Sequence, residues 1–155
     1  MGKSNISDIF TITSDGKVVG NSKLMWKNAT GCKESLAKMC SIFGQDNAPV
    51  FELEKMLSLF KENVIKQDDI LETTIDNYCT WLRNLNKACD GKLILWILDA
   101  LLVSKDPKEI MGFVDKHFDD FVGSYDPGND GGSWNVSNIR SALRKFVKFI
   151  IVQIK

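Results

Sequence analysis

The chain has one histidine, three prolines and four cysteines without a CxxC pair. A lone histidine excludes any two-histidine metal site and leaves a cysteine with His117 as the one conventional pairing of nucleophile and base. No spacing brings a cysteine to His117, which sits among charged residues in VDKHFDDF, so a non-enzymatic chain with a solvated His117 is expected. An excess of one charge is also missing, because 20 Lys plus Arg balance 20 Asp plus Glu. The field that draws proteins to nucleic acid or to acidic membranes is therefore not expected. Long apolar runs are lacking too. The longest, Leu93 to Val103, is about half of a bilayer crossing and holds Asp99, which predicts a buried helix and no membrane insertion.

The opening MGKSNISDIF shows neither the basic nor the apolar region of a secretory signal. Gly2 does not meet the myristoylation pattern, since Ile6 stands where Ser or Thr is required. Together with the scattered Cys32, Cys40, Cys79 and Cys89, this predicts a reducing, cytoplasmic setting.

What the chain does have is apolar residues at helical spacing, 44% of 155 residues being hydrophobic, which suffices for one or two small lobes. Helices are predicted over Ser22–Asn28, Cys32–Phe43, Glu52–Lys66, Glu72–Leu85, Leu93–Val103, Pro107–Tyr125 and Ser137–Ile154. Short breaker segments separate them: TSDGKV, NATG, FGQDNAPV, NKACDGK, SKDP and DPGNDGGSW. Strands have almost no room. A polar stretch over 67–74 suggests a linker between an N-terminal lobe at 1–66 and a C-terminal lobe at 75–155.

The breakers repeat one punctuation. Asp15-Gly16, Asp90-Gly91 and Asp130-Gly131 each follow a helix and precede an apolar residue and a new helix. The second breaker, from Gly44 to Phe51, is about two residues short and lacks the turn glycine. The four loops open near Thr11, Gly44, Asn86 and Asp126, an irregular repeat of about 35 to 40 residues. In this order, number and spacing the chain resembles the calmodulin superfamily of EF-hand proteins, and most of all an essential myosin light chain. The segment from Asp76 to Leu102 carries the resemblance best. It implies an all-α, two-lobed fold of four degenerate EF-hand helix-loop-helix units.

A competent EF-hand loop needs oxygen ligands at its first, third, fifth and twelfth positions. Loop one offers Thr11, Thr13, Asp15 and Ser22; loop three offers Asn86, Ala88, Asp90 and Ile97. Loop four comes nearest, with Asp126 and Asp130, but Gly128 stands between them and Ser137 or Asn138 closes it. No metal site and no cofactor is expected. The resemblance implies a constitutive, calcium-independent clamp on the IQ-motif helix of a myosin heavy chain, or on a similar amphipathic helix, stiffening a motor's neck on the cytoskeleton. The lining it implies is Met25, Trp26, Met39, Phe43, Met56, Leu59 and Phe60 in the first lobe. In the second it is Leu82, Leu85, Leu98, Leu101, Met111, Phe118, Phe146 and Phe149. Two alternatives stand beside it: a calcium sensor using a weak fourth loop, and a helical adaptor without EF-hand ancestry that binds a partner helix.

Overall fold

Thr11, Ile12, Val18 and Val19 are β-branched and flank the turn formers Asp15 and Gly16, the arrangement of a short hairpin. In the computed structural model, which describes residues 6–29, 33–68, 71–125 and 135–154, they form one. A helical turn, α1 (Ile6–Ile9), leads into β1 (Phe10–Ile12), which pairs antiparallel with β2 (Val18–Gly20). Gly16 turns the chain at φ +85°, a conformation that side chains disfavour, and the Thr13 hydroxyl accepts a 3.0 Å hydrogen bond from the Lys17 amide. A two-residue strand, β3 (Val50–Phe51), joins the other edge of β2, with Val18 opposite Phe51 and Val19 opposite Val50. The expectation that strands have almost no room is thus corrected. Strands of two or three residues are too short to register as an alternating pattern.

The seven expected helices are all present, with boundaries within a few residues. They are α2 (Ser22–Asn28), α3 (Lys33–Phe43), α4 (Leu53–Asp68), α5 (Glu72–Ala88), α6 (Leu93–Val103), α7 (Pro107–Ser124) and α8 (Val136–Ile154). Caps set several ends: the Asn21 side chain accepts from the Leu24 amide, and Asp106 accepts from Lys108 ahead of Pro107, which is pre-organised for a first turn. Between α3 and β3 lies a 3₁₀ turn (Gln45–Asn47), in which Asp46 and Asn47 adopt positive φ. These two residue types tolerate the left-handed region that the missing glycine would otherwise occupy. Gly44 is needed just before it, since a Cβ there would run into the carbonyl oxygens of Cys40 and Ala48.

The junction of α5 and α6 is tighter than expected. Cys89 to Lys92 alone separate the helices, so Asn86 to Ala88, the first three residues of the breaker expected over Asn86–Lys92, belong to α5. Asn86 lies in the last turn of α5, and its side chain accepts a 3.2 Å bond from the Leu93 amide at the start of α6. Gly91, at φ +81°, reverses the chain between them.

The buried residues make one cluster running from Ile9 to Ile154. Its centre is α8, whose Ile139, Leu143, Phe146, Val147, Ile150 and Ile154 are buried. That helix packs against α3 and α4 from the first half of the chain and against α5 and α7 from the second. The core therefore continues across the junction expected to divide two lobes at 67–74. The reason is chemical: the broad apolar face of α8 stabilises the fold only when several neighbours cover it, while Arg144, Lys148 and Val152 stay exposed on its outer side.

Candidate functional site

The lining expected for a partner groove is brought together, but the groove is filled from within. Met25, Met39, Phe43, Met56, Phe60, Leu82, Leu85, Leu98, Leu101, Phe118, Phe146 and Phe149 are all buried, while Trp26, Leu59 and Met111 are partly buried and pack on the same core. Across the α3–α4 face the occupant is α8. Phe146 meets Phe60 edge-on at 5.4 Å between ring centroids, and Phe149 meets both Phe60, at 5.5 Å, and Phe43, at 5.8 Å. Such ring pairs add about 0.5–1.5 kcal/mol each beyond the area they bury. The amphipathic rod grasped by the first half is thus a segment of the same chain.

Among the described residues, the first and third loops offer little for a cation. Thr13 donates its hydroxyl proton to Asp15, which holds the Asp15 carboxyl below its ordinary pKa, and Lys17 lies beside them. Asn86 spends its side-chain oxygen on the Leu93 amide. Among the described residues no three His, Cys, Asp or Glu side chains are grouped as a metal site. Most of the fourth loop, from Asp126 to Trp134, lies outside the described residues.

The described thiols, Cys40, Cys79 and Cys89, are buried, and burial raises all three pKa values, that of Cys89 to about 11. His117, with its side chain 37% exposed, keeps part of the solvation expected from its neighbours in sequence but is also engaged by other side chains. Its Nε2 lies 2.9 Å from Asp99 Oδ2, and its ring stacks on Trp96 with 6.0 Å between centroids and 4° between planes. Phe121 also packs on that indole, tilted by 50° with 5.9 Å between centroids. A signal for this pairing exists in the sequence: an aspartate inside an otherwise apolar helix calls for a polar partner on the next one.

Charge on the surface is arranged in pairs between helices. Arg83 of α5 grips Glu54 of α4 with two nitrogens, at 2.9–3.1 Å. Lys61 of α4 reaches Asp76, at 2.7 Å, and Glu72, at 3.3 Å, and these two carboxylates raise its pKa. Asp115 and Asp119 of α7 bind Arg140 and Arg144 of α8, and Arg140 also lies 4.9 Å above the Phe118 ring.

Beyond those pairs, a small cleft of about 70 Å³ opens between α4 and α8. Val64, Phe149 and Val152 form its apolar part, Lys145 and Lys148 its charged part, and Asn63 and Gln153 complete it. Val152 is 48% exposed although it is aliphatic. The Asn63 side-chain amide donates back to the Leu59 carbonyl at 2.8 Å.

These features define a helical bundle built round a central C-terminal helix, with a three-stranded antiparallel sheet at one side. No protein-family model, curated protein or solved structure matches the chain.

Proposed function

We propose that this protein is a non-catalytic adaptor that holds an amphipathic helix of a partner without needing calcium. The observation that carries the reading is the seating of α8, because Phe43, Phe60, Phe146 and Phe149 form a face already shaped for helix-on-helix packing by aromatic anchors. Buried thiols of raised pKa and a histidine engaged with Asp99 and Trp96 support a role that rests on contact rather than on bond making. The test is retention of a panel of amphipathic helices by the immobilised full chain, in calcium and in chelator. At least one helix should be held equally under both conditions. Retention of none, or calorimetric calcium binding in the micromolar range that governs retention, overturns the reading.

A second reading is favoured by one specific observation. Val18, the apolar residue after the first Asp-Gly turn, pairs antiparallel with Phe51 of the shortened second loop. EF-hand loops join in this manner in the calmodulin-like proteins that the sequence resembles, which supports a light-chain clamp on an IQ-type neck helix in a cytoskeletal motor. On this reading the target must take the place of α8 against Phe43 and Phe60. Hydrogen exchange on the full chain with an IQ-type peptide decides the matter: amides of Val136–Ile154 should lose protection on binding, and unchanged protection sinks the clamp.

A further inference from the structure

Helix α5 keeps its paired charges on one flank. Glu72, Asp76 and Arg83 turn toward α4, where Lys61 holds the two carboxylates and Glu54 holds the guanidinium. Beside that flank, Thr73, Asn77, Thr80, Asn84 and Ala88 follow one another at steps of three or four residues, which sets them in one row along the helix. The first four are exposed, and the row carries no charge from one end of α5 to the other. Thr and Asn are poor helix formers, so in an exposed row that nothing covers they weaken the helix with no packing to offset it. The Thr80 hydroxyl is satisfied within the helix, donating to the Asp76 carbonyl at 3.0 Å. Trp81 stands next to the row, half-buried and 5.8 Å from Tyr78 between ring centroids.

The row also reads alike from both ends. Asn77 stands three residues before Thr80 and Asn84 three after Trp81, while Thr73 stands seven before and Ala88 seven after. An antiparallel copy of α5, turned about the point between Thr80 and Trp81, therefore sets Asn77 against Asn84 twice and Thr73 against Ala88 twice. We infer that this row is a self-association surface whose occupant is the same row of a second copy of the chain, packed antiparallel about a two-fold axis between Thr80 and Trp81. A two-fold contact requires a face that complements itself, and an uncharged one meets its own copy without like-charge repulsion. Each carboxamide offers both a donor and an acceptor, so Asn77 and Asn84 satisfy each other across the contact and fix its register. Trp81 of each copy flanks the axis and supplies apolar area. The inference stands apart from the helix-binding role proposed above, which rests on the face around Phe43 and Phe60.

Sedimentation velocity of the full chain over about 1–200 µM tests it. A helix face of about five turns is at the small end of specific interfaces, so a monomer–dimer equilibrium with Kd of roughly 10–100 µM is expected. Asn77→Lys/Asn84→Lys sets lysine against lysine and should leave a monomer throughout that range. Asn77→Glu/Asn84→Lys sets each glutamate against the other copy's lysine and should dimerise at least as tightly as the native chain, whereas a parallel pairing would set like charges together and lose the dimer. Thr80→Glu, at the axis, is a further disruptor that keeps both amides and should weaken the dimer at least about tenfold. The three positions are exposed, so far-ultraviolet circular dichroism and the unfolding midpoint should match the native chain in every variant. A native chain that stays monomeric, a dimer that the lysine pair or Thr80→Glu leaves intact, or loss of the dimer in the folded glutamate–lysine variant overturns the inference.

Discussion

Asp99 of α6 and His117 of α7 meet across their helical hairpin, with 2.9 Å between Oδ2 and Nε2 and the Trp96 indole lying parallel to the imidazole. The side chains are 39% and 37% exposed, so water screens the contact and limits what it adds to stability. Replacing Asp99→Asn and His117→Gln singly and together should reveal a coupling of roughly 0.2–1 kcal/mol in urea unfolding. A coupling above about 2 kcal/mol would mean that the pair acts as a buried bridge between the helices rather than as a surface contact.

Phe60 lies on α4 yet packs on Phe146 and Phe149 of α8, which ties the first half of the chain to its last helix. Phe60→Ala should cost about 3–5 kcal/mol, as expected for removing a fully buried ring from a core that relaxes only in part. Because the core is one cluster, that loss should lower the midpoint of a single unfolding transition seen alike by tryptophan fluorescence and by far-ultraviolet circular dichroism. Two transitions, one of them unmoved, would mean that the halves on either side of residues 67–74 unfold separately.

The helices were legible because their signals are local. The apolar spacing in Leu93–Val103, Asp106 before Pro107 and the breaker around Gly91 lie within a few residues of what they specify. What joins the helices was not legible, since nothing near Phe43 or Phe60 in sequence indicates that their ring partners stand on α8. The expected groove residues illustrate the same limit: apolar spacing identifies Met39, Phe43 and Met56 as residues to be covered, and covering by a partner or by the chain's own last helix leaves the same pattern. At the α4–α8 cleft, the lysines of α8 were visible in sequence, but their neighbour Val64 is brought there only by the packing of α4.

Glycines should divide by environment. Gly112, inside α7, has open space where a Cβ would stand, so Gly112→Ala should raise stability by about 0.5–1 kcal/mol through the lower entropy of the unfolded chain. Gly44 is the opposite case. Its missing Cβ would strike the backbone carbonyls of Cys40 and Ala48, which cannot swing aside as a side chain can, so Gly44→Ala should be destabilising. Chemical unfolding of both variants checks the contrast, and equal effects would mean that the turn after α3 is not held as described.

Cys89 gives the protein a stability that depends on alkaline pH. Burial raises its pKa in the fold to about 11, above the ordinary thiol value of 9.0, because the thiolate would lose its water at the α5–α6 corner. Below the unfolded pKa both states hold the proton, and the stability associated with the neutral thiol is present in full. Between about pH 9 and 11 the unfolded chain releases its proton while the folded one keeps it, so unfolding becomes easier by up to about 2–3 kcal/mol as pH rises through that window. Comparing urea unfolding of the native chain with Cys89→Ala at pH 8 and pH 11 isolates this contribution from tyrosines and lysines that titrate in both. The native chain should lose more stability than the variant over that range, and iodoacetamide at pH 8 should leave Cys89 unmodified until the fold is opened. Equal pH slopes for the two chains, or rapid alkylation of Cys89 in the folded state, would place the thiol in water rather than in the corner between α5 and α6.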